Sequence, residues 1–521
     1  MKKAFAALCV FLALTLSIYF TTSTSAQTPK IKLGNEQLMT GYHHLIEGKR
    51  IGLVTNQSGV NSQGRSTIDV LAEDKSIKLA ALYGPEHGID GKAKAGEYVK
   101  SYVHKQLNIP VYSLYGETRM PTGEMLRDID ILIFDVQDIG ARSYTYMSTM
   151  NYCMVAAQKY GKQIIVLDRP NPVGGEIVEG PVLEDRFISF VGIDNLPMAH
   201  GMTAGELALY FNRKIGANLK VIPMEGYTRK MTYQDTGLRW VQTSPNIPDI
   251  DSVFGYMATG LGEGTGIFQA DKFKWIGGKG IDQDRYASLL NQAGLPGVVF
   301  IAERRGDAGG VRLKITDYHT FNPAKTGIYA LAYARSLNSF TVPKSGQTIV
   351  MFDKIMGTGR IGSDLEKGLG PQQIENGYSP ALSRFREERK NYLIYGYETG
   401  KQTGLNGEVT VLIDGIPVSF DSAPYIDSNN RLMVPLRAIA EALGANVQWN
   451  SGTRTVTITR QGKAAVFKID STTATVNGQA KKMDTSPVIR NDRTMVPVRY
   501  VGEYLGAEVK WDPDTRTVTI F

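Results

Sequence analysis

The chain has 521 residues, of which 42% are hydrophobic, and it carries a formal net charge of +7 with a pI near 9.0. This length predicts about two to four domains, and the apolar fraction is high enough for packed cores. The net charge is small for this length, and Lys and Arg form no dense block in the sequence. It therefore argues against a dedicated nucleic-acid-binding protein, while it is compatible with attraction to an anionic polymer such as a cell wall.

Residues 1–26 have the composition of a secretory signal peptide. Lys2-Lys3 precedes an apolar run at 4–20, and Thr24-Ser25-Ala26 supplies small residues at a cleavage site. We therefore expect cleavage after residue 26 and a secreted, extracellular or cell-wall-associated protein. An uncleaved anchor is the alternative, but the apolar run is short for a spanning helix. Cleavage leaves Cys153 as the only cysteine, which excludes an intramolecular disulfide, and no membrane contact is expected afterwards.

Strands and helices alternate between about residues 49 and 168. Apolar runs that end in polar or glycine-containing turns predict strands at 49–55, 78–83, 109–115, 130–135 and 163–168. Length and apolar spacing predict helices at 66–72 and 144–160. This alternation predicts an α/β fold with a doubly wound, mostly parallel sheet over residues 27–168.

The pattern is less regular over residues 169–398, where we predict a second, smaller α/β subdomain packed on the first. A helix is predicted at 203–214, with Thr203 or Met202 near its cap and Glu206 in its first turn. The remaining predicted elements are helices at 325–337 and 373–390 and strands at 219–223 and 311–315.

Residues 399–408 form a polar, glycine-rich linker, and residues 409–521 contain an internal duplication. Arg431-Leu-Met-Val-Pro recurs 62 positions later as Arg493-Thr-Met-Val-Pro, and the two copies extend over about 409–460 and 464–521. The pattern of each copy predicts strands, a helix after Val-Pro and a terminal hairpin. Two copies packed together can bury apolar surface that a single copy would leave exposed. The region resembles the copper amine oxidase N-terminal-like stalk domain, but it contains no His or Cys, so no copper site is expected.

Glu86 and His87 follow the second predicted strand and are flanked by Gly84-Pro85 and Gly88. In open α/β sheets ligands bind beyond the carboxyl ends of the strands. Glu86 is therefore a candidate acid or base, and His87 beside it is a second candidate catalytic residue. The alternative is a loop glutamate that pairs with a lysine or caps a helix.

Further polar side chains follow the fourth and fifth strands or lie in the second subdomain among Gly and Pro. These candidates are Asp135, Asp138, Arg142, Tyr144, Asp168, Arg169, Asn171, His200, Asn246 and Glu263. Carboxylates, amides, Arg and Tyr at one rim suit a sugar, because acids and bases cleave glycosidic bonds. Structural alternatives remain, because Asp135 and Asp168 can cap helices, Arg142 can pair with Asp138, and the tyrosines can belong to the core.

Three other kinds of site have weaker support. The six histidines show no metal-ligand spacing such as H-x-x-x-H, so no metal is expected. Residues 357–362 fit G-x-G-x-x-G but follow the alternating strands by about 190 positions, so we interpret them as a loop turn. No G-x-S-x-G motif supports a serine hydrolase.

The chain over roughly 34–396 resembles the exo-β-N-acetylmuramidase family, long known only as a domain of unknown function. The resemblance is carried by Tyr83-Gly-Pro-Glu-His-Gly, Phe134-Asp-Val-Gln-Asp-Ile-Gly-Ala-Arg-Ser-Tyr-Thr-Tyr, Asp168-Arg-Pro-Asn-Pro-Val-Gly-Gly, Ala199-His-Gly-Met-Thr, Ser244-Pro-Asn-Ile-Pro and Phe352-Asp-Lys-Ile-Met-Gly-Thr. It implies a Rossmann-like domain and a smaller α/β domain around a cleft, with no cofactor. It also implies removal of terminal β-linked N-acetylmuramic acid from the non-reducing end of peptidoglycan fragments, with Glu86 as the general acid.

The identity of the second catalytic group stays open among Asp135, Asp138, Asp168 and Glu263. Where relatives often carry Glu-Gly-Arg-Gly-Thr, this chain has Glu263-Gly-Thr-Gly266, so an arginine that could contact a substrate carboxylate is missing. Carboxyl groups about 5–5.5 Å apart would favour retention and about 6.5–9.5 Å inversion, while a substrate-assisted route escapes that rule. The alternative function is a non-catalytic wall-binding or scaffolding protein with a degenerate hydrolase domain.

Overall fold

The structure is a computed structural model, and it describes residues 31–396, 410–418, 420, 422, 424–427, 431–490, 493–512 and 517–521. The predicted signal peptide at 1–26 and the predicted linker at 399–408 lie outside the described residues. No helix within those described ranges is both long enough and apolar enough to cross a membrane.

A seven-stranded sheet organises the first part of the chain. Its strands are β1 (Arg50–Thr55), β2 (Lys78–Gly84), β3 (Tyr102–Val103), β4 (Pro110–Ser113), β5 (Ile131–Asp135), β6 (Gln163–Leu167) and β7 (Leu219–Ile222). They lie in the order β3-β4-β2-β1-β5-β6-β7, and every neighbouring pair is parallel except β3 with β4. The doubly wound, mostly parallel sheet is therefore confirmed. Its strand order reverses at β1, where ligands are expected.

Helices cover both faces of this sheet. They are α1 (Gly34–Thr40), α2 (Thr67–Glu73), α3 (Tyr146–Lys159) and α4 (Ala204–Ile215). Alternate residues of β5 point to opposite faces, so Phe134 joins the core beneath α3 and α4 while Ile133 joins the core beneath α1 and α2. Thr203 caps α4 as predicted, in a reciprocal pair of hydrogen bonds with Glu206.

The first sheet extends further along the chain than we predicted. We placed residues 219–223 in the second subdomain, whereas β7 pairs in parallel with β6 and forms the edge of the seven-stranded sheet. The physical reason is that α4 packs on β6 and β7 and returns the chain for one more parallel crossover.

The second subdomain is built on a four-stranded antiparallel sheet in the order β10-β11-β9-β8. Its elements are β8 (Ile267–Ala270), β9 (Trp275–Lys279), β10 (Val298–Arg305), β11 (Ala308–Ile315), α5 (Ile250–Thr259), α6 (Gln283–Gln292), α7 (Pro323–Leu337), α8 (Met351–Met356), α9 (Arg360–Glu366) and α10 (Pro371–Glu388). One continuous apolar core joins this part to α3 and α4. Gly357 ends α8 with a φ of +76°, so residues 357–359 form the predicted turn, whereas residues 360–362 of the G-x-G-x-x-G match begin α9.

The C-terminal region contains two intertwined copies of one unit. The first copy comprises β12 (Thr410–Ile413), β13 (Ile416–Pro417), β14 (Tyr425–Ile426), β15 (Leu432–Pro435), α11 (Leu436–Ala442), β16 (Asn446–Asn450) and β17 (Thr455–Arg460). The second comprises β18 (Lys463–Lys468), β19 (Thr473–Val476), β20 (Gln479–Lys482), β21 (Val488–Arg490), β22 (Arg493–Pro497), α12 (Val498–Tyr504), β23 (Val509–Asp512) and β24 (Thr517–Ile520).

The pairing between the copies explains why both are needed. Each terminal hairpin joins a sheet of the other copy, because β12 pairs with β24 and β17 pairs with β18. The equivalent strands β15 and β22 pair directly, with Val434 opposite Val496, and both valines are fully buried. The two copies therefore share one core, as the duplication predicts.

Candidate active site

A cavity of about 360 Å³ lies beyond the carboxyl end of β2. Glu86 and His87 line it from the loop after β2, and residues 143–145 line it from the segment that leads into α3. The second subdomain closes it with side chains that include Asn246 and Lys354. This volume is at the lower end of the range for small-molecule sites, which starts at about 300 Å³.

A larger cleft of about 1420 Å³ lies between the edge of the first sheet around β7 and the C-terminal region. None of the predicted site residues lines that cleft. The smaller cavity is therefore the better candidate, because it contains an acid, a histidine and several tyrosines together.

Glu86 is fixed in the cavity by two hydrogen bonds. Its side chain is largely buried, and one carboxyl oxygen accepts a hydrogen bond from the backbone N–H of Gly96 at 3.0 Å. The other accepts from the hydroxyl of Thr145 at 2.6 Å. Neither contact is an ion pair with a lysine or a helix cap, so neither structural alternative for Glu86 applies. A carboxyl group held in this way has a defined orientation toward a bound molecule.

His87 follows Glu86 in a left-handed backbone conformation, with φ at +71°. Its Nδ1 lies 2.7 Å from the carbonyl oxygen of Ala93. Because a carbonyl oxygen only accepts, Nδ1 carries a proton in this contact. The ring edge packs against Tyr146, with the ring centroids 6.5 Å apart, so His87 supports the loop that carries Glu86.

Tyr144 and Tyr256 line the cavity as part of an aromatic wall, and Tyr146 packs against Tyr144 without lining the cavity itself. The ring centroid of Tyr144 lies 4.8 Å from that of Tyr146 and 5.8 Å from that of Tyr256. Tyr144 donates to the hydroxyl of Thr243 at 2.9 Å. Burial raises the pKa of all three tyrosines. Such a wall can support the face of a sugar ring, and Asn246 lines the same cavity.

Asp135 and Arg169 lie outside the cavity, in a buried ion pair. The Nε atom of Arg169 is 2.5 Å from a carboxyl oxygen of Asp135, and both side chains are at most 4% exposed. Thr67, at the start of α2, donates a further hydrogen bond to Asp135 at 2.6 Å. This placement argues against the predicted catalytic role of Asp135 and the predicted substrate contact of Arg169. Together they tie the ends of β5 and β6 to α2.

Asp138 and His200 form a second buried pair outside the cavity lining. His200 Nε2 lies 3.2 Å from an oxygen of Asp138, and His200 Nδ1 accepts from the N–H of Met202 at 3.2 Å. Since Nδ1 accepts, Nε2 carries the proton. The pair therefore joins the loop after β5 to the segment before α4. This placement argues against the predicted catalytic role of Asp138 and the predicted substrate contact of His200.

Asp168 and Asn171 form hydrogen bonds that hold the loop after β6, and neither of these predicted substrate contacts lines the cavity. Asp168 accepts hydrogen bonds from the N–H of Gly205 at 2.6 Å and from the hydroxyl of Tyr395 at 2.5 Å. Burial raises the pKa of Asp168 to about 7. Asn171 accepts from the N–H of Val173 two residues ahead, which closes a local turn.

Arg142 was predicted to contact the substrate and Glu263 to be catalytic, but neither residue lines the cavity. The guanidinium of Arg142 donates to the backbone carbonyls of Pro181, Leu196 and Ile355, and burial lowers its pKa to about 9. Arg142 therefore joins three segments and does not pair with Asp138. Glu263 is exposed in a turn outside the cavity, next to the buried Thr265, whose hydroxyl closes the same turn.

The cavity lining also includes residues that we did not predict, among them Tyr115, Arg119, Phe190 and Lys354. Lys354 belongs to the Phe352-Asp-Lys segment that carried the family resemblance, so that motif held a usable indication. Tyr115 and Arg119 follow β4, at the same rim of the sheet as Glu86. Their position after a strand end could have identified them as candidate site residues.

Glu86 is the only carboxylate among the described residues that line this cavity. The arrangement therefore supplies one acid or base, an aromatic wall and two cations. Across the described residues, no three His, Cys, Asp or Glu side chains lie close enough together to hold a metal ion.

Comparison with known proteins gives three family matches. Residues 51–251 match the N-terminal part and residues 254–395 the C-terminal part of the family described as exo-beta-N-acetylmuramidase NamZ. Residues 412–520 match the copper amine oxidase N-terminal domain.

Two curated proteins are similar to this chain. The peptidoglycan beta-N-acetylmuramidase NamZ of Bacillus subtilis (strain 168) is 44% identical over 388 residues, which cover 71% of this chain and 93% of that protein. A protease inhibitor of Brevibacillus choshinensis is 30% identical over 111 residues, which cover 21% of this chain and 34% of that protein.

Two crystal structures of DUF1343 family proteins from Bacteroides fragilis NCTC 9343 are also similar. One has a TM-score of 0.64 and 36% identity and covers 70% of this chain and 99% of that chain. The other has a TM-score of 0.54 and 26% identity, and the match covers 71% of this chain and 99% of that chain.

Proposed function

The chain belongs to the exo-β-N-acetylmuramidase NamZ family and is a glycoside hydrolase that acts on peptidoglycan, and we propose that it is exported and serves cell-wall turnover. In this proposal it removes the β-linked N-acetylmuramic acid at the non-reducing end of peptidoglycan fragments. The observation that carries the proposal is Glu86, held by Gly96 and Thr145 in a cavity of about 360 Å³ with an aromatic wall.

Glu86 acts as the general acid and protonates the oxygen that leaves the anomeric carbon. No second carboxylate lines the described part of the cavity, so the proposed nucleophile is the acetamido oxygen of the substrate itself. That oxygen bonds to C1 as the glycosidic bond breaks, which gives an oxazolinium ion. The Glu86 carboxylate then accepts a proton from the water that attacks C1. This route predicts that the first sugar released is the β-anomer.

A chromogenic β-N-acetylmuramide and the matching β-N-acetylglucosaminide test the activity. We expect release from the muramide in preference to the glucosaminide. Proton NMR of the first product then tests the route, because the α-anomer as first product would exclude substrate assistance. Release from neither compound would count against the exo-muramidase proposal.

The alternative proposal is a wall-binding or scaffolding protein with a degenerate hydrolase domain. The basic pI and the duplicated C-terminal domain favour wall contact under either proposal. A truncation that ends at Gly404 tests this contact on insoluble peptidoglycan. We expect weaker retention than for the full chain, and equal retention would contradict a wall-binding role. Retention of the full chain without sugar release would favour the scaffolding alternative.

Export rests on the composition of residues 1–26. We expect the protein in the culture medium or wall fraction of a Gram-positive host, with Gln27 as its first residue. A membrane-bound protein that retains residues 1–26 would contradict this proposal and favour the uncleaved anchor.

A further inference from the structure

Two cationic side chains, Arg119 and Lys354, line the cavity that contains Glu86. Within the part of the chain that the structure describes, neither forms an ion pair with an Asp or Glu. The cavity therefore brings together two positive charges and a single carboxylate. A small cavity with this balance favours a ligand that carries a negative charge of its own.

Arg119 is oriented by aromatic side chains. Its guanidinium carbon lies 4.3 Å from the ring centroid of Phe190 and 5.1 Å from that of Tyr115, and these two rings are 5.9 Å apart. A guanidinium stacked in this way loses little freedom when it binds, and it can present two parallel N–H groups to a carboxylate.

Tyr115 links this cation to the candidate acid. Burial and the carboxyl group of Glu86 raise the pKa of the Tyr115 hydroxyl, while the guanidinium of Arg119 lowers it. Tyr115 therefore lies near both Glu86 and Arg119, and all three line the cavity. Lys354 reaches the same cavity from α8, in the second subdomain, so the two cations come from different parts of the fold.

We propose that Arg119 and Lys354 bind the carboxylate of the lactyl ether on the terminal sugar and thereby select a muramic acid residue over N-acetylglucosamine. The inference rests on the proposed function, in which Glu86 faces the leaving oxygen on C1. The lactyl ether is attached at C3, with only C2 between it and C1. Its carboxylate must therefore lie in the same cavity as Glu86 but away from the acid itself, where the two cations are.

The substitutions Arg119→Met and Lys354→Met remove each charge and keep an unbranched side chain of similar reach. Matched controls are Arg127→Met and Lys367→Met, which change exposed residues outside the cavity. The substrates are the chromogenic β-N-acetylmuramide, its lactyl methyl ester and the matching β-N-acetylglucosaminide.

We expect each cavity variant to raise KM for the muramide roughly 10- to 100-fold, with a smaller change in kcat, because one charge-assisted hydrogen bond is lost. The two uncharged substrates should change by a clearly smaller factor, and the control variants should behave like the wild type. The inference is wrong if both cavity variants keep the wild-type preference for the muramide over its methyl ester.

Calorimetric binding of free N-acetylmuramic acid separates this inference from the proposed function. If the wild type binds the free sugar acid but does not cleave the muramide, the proposed function fails. In that case a loss of binding in both cavity variants still supports the carboxylate site. Equal binding in wild type and variants overturns the inference, whatever the turnover.

Discussion

The carboxyl group of Glu86 and the hydroxyl group of Thr145 lie 2.6 Å apart, and this contact joins the end of β2 to the start of α3. Thr145 is the residue immediately before the first turn of α3, and its side chain donates to Glu86 instead of capping the helix. The carboxylate therefore lies near the N-terminal, positive end of the α3 dipole. The candidate acid is held jointly by a strand end and a helix start.

Replacing Thr145 by Val removes this hydrogen bond while it keeps the shape of the side chain. We expect kcat/KM for the muramide to fall about 10-fold, because the carboxyl group loses one of its two orienting contacts. Thr145→Ser retains a hydroxyl group and should keep most of the activity. Equal activity of the Val and Ser variants in steady-state assays would show that this contact does not position Glu86.

The buried pair of Asp135 and Arg169 should contribute measurably to the stability of the first sheet. Arg169→Met leaves Asp135 buried without its charge partner, which typically costs about 3–5 kcal/mol. The matched control is Arg50→Met, which breaks the half-exposed pair with Asp130 and should cost about 0–1 kcal/mol. Urea unfolding compares the two, and the added substitution Asp135→Asn should recover part of the loss. Similar costs for Arg169→Met and Arg50→Met would contradict a structural role for the buried pair.

Asp168 should make stability depend on pH near neutrality. Burial raises its pKa to about 7, whereas an unfolded chain has a value of about 3.9. Between these values the folded state binds more protons, so this contribution is full below pH 4 and is lost as pH rises through 7. The shift corresponds to at most about 4 kcal/mol, at about 1.4 kcal/mol per pKa unit.

The substitution Asp168→Asn removes the titration at this position. We expect the free energy of unfolding of the wild type to fall more steeply between pH 5 and pH 8 than that of Asp168→Asn. Urea unfolding at the two pH values measures both slopes. Parallel slopes would mean that Asp168 keeps an ordinary pKa through its hydrogen bonds to Gly205, Thr203 and Tyr395.

Local pattern was sufficient to predict most elements of the first sheet. Runs such as 131–134 are apolar throughout, and the hydrogen bonds between Thr203 and Glu206 follow from a spacing that is visible in the chain. Strand β7 was placed in the wrong unit, because a four-residue strand carries no indication of which sheet it joins.

The candidate site was predictable only in part, because strand-end position does not reveal which way a side chain points. Glu86 and Asp135 both follow apolar strands, yet Glu86 lines the cavity and Asp135 turns inward to Arg169 and Thr67. Lys354 reaches the cavity only because the second subdomain packs its helix α8 there. That long-range packing has no local pattern in the chain.

The most direct test of the central claim is hydrolysis of the chromogenic β-N-acetylmuramide by Glu86→Gln beside the wild type. General acid catalysis contributes about 10²- to 10⁴-fold to the rate, so kcat of Glu86→Gln should fall by at least about 10²-fold. The circular dichroism spectrum and the urea midpoint should stay close to those of the wild type. If the Glu86→Gln variant is folded and still cleaves the muramide at the wild-type rate, the assignment of Glu86 as the acid is contradicted.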